Sequence, residues 1–138
     1  MSLFEERFFK TDDGLTLYCR DYAAPTPSAA TVVCLHGLSR NSRDFQDLAP
    51  VLNQHFRVLV PEQRGRGRSA YDTVPSRYNL MQYVHDTHAM LVAFQCERVS
   101  VVGTSMGGLM TFALNALYSD LIHRAVINDI GPDIAAAG

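Results

Sequence analysis

The chain has 138 residues, a length for one domain at most and one that can bury a reasonable core. Hydrophobic residues make up 47% and charged residues 19%, and the net charge of -2 gives no general reason to expect nucleic acid or an acidic membrane surface as partner. No apolar run approaches the roughly 18–20 residues of a membrane span, and the N-terminal MSLFEERFFK, with its early acids, does not read as a secretory signal.

In chain order, LFEERFFK (3–10) and LTLYCRDY (15–22) flank TDDG, and Asp13-Gly14 predicts a hairpin of two antiparallel strands. PTPSAA follows as a surface connection. TVVCLHG (31–37) is a continuous apolar run, the pattern of a strand covered on both faces. SRDFQDLAPVLNQ (42–54) spaces Phe45, Leu48, Ala49 and Leu52 as a helix. FRVLVPE (56–62) reads as a second buried strand, and QRGRGRSAYDTVPSR as a loop. NLMQYVHDTHAMLVAFQ (79–95) is a helix, RVSVVGTS (98–105) a strand, MGGLMTFALNALYSD (106–120) a helix and RAVINDI (124–130) a last strand. The alternation after the hairpin predicts an α/β fold: a doubly wound, mostly parallel sheet with helices on both faces and an N-terminal antiparallel hairpin. The three cysteines, Cys19, Cys34 and Cys96, are odd in number and form no CxxC pair. They point to a reducing, cytoplasmic setting.

The stretch VSVVGTSMGGLM (99–110) sets three glycines around Ser105 where a strand gives way to a helix. In an open α/β sheet, reactive groups gather at the carboxyl ends of the strands. Gly103-Thr104-Ser105-Met106-Gly107 fits G-x-S-x-G, a sharp turn that lifts the serine hydroxyl clear of the backbone. Met106 then opens the helix, so its N–H has no helical partner and is free to donate to a developing oxyanion. A phosphate loop is excluded because no Gly-Lys-Ser/Thr follows, and a dinucleotide turn because the second glycine is missing.

Other residues have competing readings. His85 and His88 share a helix face, a metal-ligating spacing, but no third ligand is evident and no metal site is expected. RGRGR (64–68) is a single copy after a buried strand and reads as a tight loop rather than an RNA-binding repeat. Arg40 and Arg43 read as solvated charges or as residues at a site entrance.

VVCLHGLSRNSRDF (32–45) ends its strand on His36-Gly37, and VPEQRGRGRS (60–69) ends the next. With GTSMGG, these stretches resemble the α/β-hydrolase family, in its serine hydrolase branch of lactonase and esterase type, over nearly the whole chain to Asp129. The resemblance implies Ser105 as nucleophile and the backbone N–H groups of Leu38 and Met106 as the oxyanion hole. It also implies His36, Gly37, Gly103 and Gly107 as supports of that site. Arg64, Gly65, Gly67 and Ser69 match the family's Arg-Gly-x-Gly-x-Ser turn, with Glu62 where Asp is commoner. Asp129 is left as an alternate triad acid, a wall of the site or a cap of the turn at Gly131-Pro132.

The family orders its triad Ser, acid, His. After Ser105 only His123 remains, and it lies near the amino end of the last strand, too far to reach the serine. The expectation is that residues 1–138 are the N-terminal half of an α/β-hydrolase domain, with DIAAAG (133–138) leading into a cap. The function implied is hydrolysis of carboxylic esters, lactones or related acyl compounds through an acyl-enzyme, without metal or cofactor. The alternatives are a carbon–carbon bond hydrolase and a non-catalytic ligand-binding or receptor protein on the same fold. The expected partners are a small-molecule acyl substrate and the missing C-terminal half, or a second copy at the open sheet edge, and neither nucleic acid nor membrane. The chain alone is expected to be inactive.

Overall fold

The computed structural model of the protein describes residues 3–129. Among the described residues six strands form one sheet: β1 (Glu5–Lys10), β2 (Thr16–Tyr22), β3 (Thr31–Leu35), β4 (Arg57–Pro61), β5 (Val99–Thr104) and β6 (Ile122–Asn128), in the order β1-β2-β4-β3-β5-β6. β1 and β2 pair antiparallel and β2 joins β4 antiparallel, while β4, β3, β5 and β6 run parallel. The hairpin turn closes with the Gly14 N–H donating to the Thr11 carbonyl at 3.0 Å, and Gly14 takes φ +88, which only glycine adopts without strain.

The strands alternate two cores. Val33, Leu35, Leu59 and Val101 face α2 (Leu80–Ala93) and α3 (Met106–Leu117), with Val84, Met90, Leu91 and Met110 fully buried between them. Val32, Cys34, Val58 and Val60 face the other way, against Phe45 and Ala49 of the segment containing α1 (Leu48–Leu52). A sheet covered on both faces explains why these strands read as unbroken apolar runs.

Two elements differ from their sequence reading. The helix expected over 42–54 is split into a 3₁₀ turn (Ser42–Phe45) and α1. Pro50 has no N–H to offer the carbonyl of Gln46 and its ring crowds that carbonyl, so a continuous helix is barred there. The last strand begins two residues earlier than expected, and its expected end at Ile130, the Gly131-Pro132 turn and DIAAAG lie outside the described residues. No helix among the described residues is long and apolar enough to cross a membrane.

The fully buried Arg64 anchors three segments that are distant in sequence. Its Nε and Nη2 donate to the two carboxylate oxygens of Asp86 on α2 at 2.8 and 2.7 Å. Its Nη1 donates to Asp13 in the hairpin turn at 2.9 Å and to Asp72 in the following loop at 2.7 Å. Hydrogen bonds from Arg64 and Thr11 hold the Asp13 carboxyl down at about 2. The Val74 N–H, with Arg64 and Arg77 behind it, lowers that of Asp72. Both carboxyls are depressed, so the stability they lend is complete above the unfolded value of about 4 and is lost as pH falls through the folded value. Chemical denaturation across pH 5 to 2 is expected to show stability falling between about 4 and 2, with a shallower fall in Asp13→Asn.

Candidate active site

The chain leaves β3 for β4 on one side, then returns through α2 to β5 on the other side of β3. The crevice at such a reversal lies outside the carboxyl ends of the two diverging strands. Here those ends carry Gly37-Leu38, after β3, and Ser105, after β5.

Ser105 has φ 53 and ψ -113, a left-handed backbone unusual for a residue with a Cβ. Close packing imposes it. A Cβ on Gly107 would lie 2.2 Å from the Leu35 carbonyl oxygen. One on Gly103 would lie 2.5 Å from the Gly107 oxygen and 2.6 Å from the Thr111 hydroxyl. The first turn of α3 therefore sits directly on β3 and β5, and the chain has one residue in which to reverse. That residue is Ser105, whose carbonyl accepts from the Gly108 N–H at 2.8 Å and whose N–H donates to the Asn128 carbonyl at 2.9 Å.

The loop after β3 lies against this turn. A Cβ on Gly37 would be 3.6 Å from the Ser105 Cβ. The peptide joining Gly37 and Leu38 is held through its oxygen. His36 accepts from the Gln63 N–H at its Nε2 (3.0 Å), so its Nδ1 carries the hydrogen and donates to the Gly37 carbonyl at 2.8 Å. The Arg40 N–H donates to the same oxygen at 3.2 Å. A trans peptide points its N–H opposite to its C=O, so fixing the Gly37 oxygen aims the Leu38 N–H. Arg66 secures the next peptide: its Nε donates to the Leu38 carbonyl at 2.9 Å, and its guanidinium lies over the Tyr83 ring. Neither the Leu38 nor the Met106 N–H has a hydrogen-bond partner among the described residues.

His36 is 1% exposed with both ring nitrogens engaged, and burial lowers its pKa. It is placed as a brace of the loop and not as a base. Glu62 is a second brace: its carboxylate accepts from the Ser42 N–H and hydroxyl at 3.0 Å each and from the Arg68 N–H at 2.8 Å, tying the loop after β3 to the loop after β4.

The structure brings Asp129 to the same sheet edge. It follows Asn128, which pairs with Thr104, and is exposed with φ 62. His123 lies at the opposite, amino end of β6, five residues before Asn128 and so about 17 Å along the strand. On α2, Asp86 between the two histidines is bound by Arg64, and His88 stacks on Tyr118 with centroids 3.9 Å apart. No group of three metal-ligating side chains occurs among the described residues. Arg40 chelates Asp44 on the surface, as a solvated charge. The contribution of Arg66 had no reading in the sequence. The arginine lies within RGRGR, and nothing in that pattern says which carbonyl it will meet.

The sequence model of the family described as alpha/beta hydrolase fold matches residues 30–136. The chain belongs to the α/β-hydrolase family. It is 38% identical over 104 residues to a 3-hydroxybutyrate-oligomer hydrolase of Cupriavidus necator, 75% of this chain and 36% of that protein. It is 35% identical over 101 residues to a putative carbamate hydrolase of Yersinia enterocolitica, 73% of this chain and 36% of that protein. The crystal structure of an alpha/beta hydrolase from Novosphingobium aromaticivorans superposes with a TM-score of 0.94 at 44% identity, over 99% of this chain and 48% of that one. The chain thus spans between about a third and a half of the length of these relatives.

Three substitutions probe the geometry. Gly107→Ala drives a methyl into backbone and is expected to cost about 3 kcal/mol or more. Gly14→Ala meets nothing within 4 Å and should cost only the left-handed strain of about 1–2 kcal/mol. His36→Ala strands the buried Gln63 N–H and should cost about 1–3 kcal/mol. Urea denaturation of the three variants checks both the order and the sizes.

Proposed function

We propose that Ser105 is the nucleophile of a serine hydrolase acting on carboxylic esters, lactones or related acyl compounds. We also propose that residues 1–138 are the N-terminal half of its catalytic domain. The observation that carries the reading is the strained Ser105 backbone at the carboxyl end of β5, with the clamped Gly37-Leu38 peptide beside it. The relatives' names favour acyl chemistry. An oligomer of 3-hydroxybutyrate joins hydroxyl to carboxyl as an ester, and a carbamate is also an acyl derivative.

In this reading the Ser105 hydroxyl attacks the acyl carbonyl and passes its proton to a base from the C-terminal half. The carbonyl oxygen gains the negative charge and accepts from the Leu38 and Met106 N–H groups, with the dipole of α3 behind the second. Collapse expels the alcohol, which takes up the proton. Water then attacks the acyl-enzyme, releasing the carboxylate and restoring Ser105. Asp129 serves as a wall of the site or holds the base. The reaction needs neither metal nor organic cofactor.

The same reading accounts for β6, whose outer edge is unpaired among the described residues and whose residues 123–126 are exposed. The C-terminal half would pair with that edge, and without it a second copy would. The setting is cytoplasmic and the partners include neither nucleic acid nor membrane.

In the full-length protein, Ser105→Ala should lower kcat for an activated ester by at least about 10³-fold. Arg66→Ala, which frees the Leu38 carbonyl, should lower kcat about tenfold with little change in KM, a loss of transition-state binding alone. The 138-residue chain assayed alone should stay near the weak rate left by oxyanion donors, about 10³–10⁴ over water, and should associate in light scattering. Enzyme-like turnover by a monodisperse monomer of the chain, lost in Ser105→Ala, would contradict this.

A further inference from the structure

A cavity of about 380 Å³ opens on the α1 face of the sheet, over β1 and β2, and is not lined by Ser105. The start of the 3₁₀ turn closes one side and Gly67-Arg68 another. Arg20, Arg43 and Arg68 line it, with the rings of Phe4 and Tyr18. Two glutamates also reach it, and both are engaged. Glu6 pairs with Arg68, and Glu62 already accepts three hydrogen bonds.

That leaves two cations without an acid. The Arg43 guanidinium has no acceptor among the described residues. Arg20 lies over the Phe4 ring at 4.4 Å, and its Nε is a buried side-chain donor with no partner. A charged donor left unpaired in this way is costly, and buried polar groups nearly always have a partner. An oxyanion entering the cavity would draw the guanidinium edge outward and give that Nε its acceptor. Guanidinium pairs match the planar fork of a carboxylate and the oxygens of a phosphoryl group. The volume is at the small end of ligand sites, and the Phe4 and Tyr18 rings suit an apolar or flat body behind the charged head.

We infer that this cavity is a second ligand site, separate from the Ser105 site, for a small organic oxyanion with an apolar body, held by Arg20 and Arg43. Titration calorimetry with benzoate, phenyl phosphate and neutral benzamide tests it on the full chain. At least one anion should bind and benzamide should not, and the preferred anion says whether the head is a carboxylate or a phosphoryl group. Arg20→Gln should weaken binding about tenfold. Arg43→Gln, at an exposed position free of ion pairs, should do so without disturbing the fold. Ser105→Ala should leave binding unchanged, which separates this site from the proposed catalytic one. Absence of binding by either anion, equal binding of benzamide, loss of binding in Ser105→Ala, or affinity unaltered in Arg43→Gln would overturn the inference.

Discussion

The architecture of the site depends on one close approach, the first turn of α3 lying on the backbone of β3 and β5. At Gly107 the distance leaves no room for a methyl group, and Gly103 is equally confined by α3 itself. Because the helix begins so near the strands, Ser105 is forced to φ 53, and its side chain stands at the carboxyl edge of the sheet. The same contact places the unpartnered N–H of Met106 at the head of the helix. The strain at Ser105 and the unpartnered N–H next to it follow from two missing side chains.

A loop beside such a turn is useful only if its peptides keep one orientation. Here the orientation is held from behind. His36 accepts a hydrogen bond from Gln63 in the loop after β4 and donates one to the Gly37 carbonyl in its own loop, which fixes its tautomer and the direction of the peptide at Leu38. Arg66 crosses from the loop after β4 to hold the following carbonyl. Glu62 and Arg64 in turn fix the loop that carries Arg66, the first by binding Ser42 and Arg68, the second by binding three aspartates from the hairpin, the loop and α2. The peptides at Gly37 and Leu38 are thus held from two loops at once, which fixes the direction of the Leu38 N–H.

Most of this fold was legible in the sequence because its signals are local. Apolar runs mark strands covered on both faces, and G-x-S-x-G between strand and helix marks the turn at Ser105. The break between Phe45 and Leu48, set by Pro50, shows where local reading fell short: Phe45, Ala49 and Leu52 keep a helical spacing that a proline can still interrupt. Arg66 and the acid cage of Arg64 were not legible for a different reason. Their partners lie 28 and 51 residues away in the chain (Leu38 and Asp13), and long-range pairing of a charged side chain leaves no periodic trace.

The central claim is that Ser105 carries the acyl group. It is tested most directly by rapid acid quench of the full-length protein during turnover of an activated ester, followed by peptide mass spectrometry. The account predicts an added acyl mass on the peptide spanning 99–110, localised to Ser105 and absent in Ser105→Ala. An acyl group on a different residue during productive turnover, or unimpaired turnover by Ser105→Ala, would contradict it.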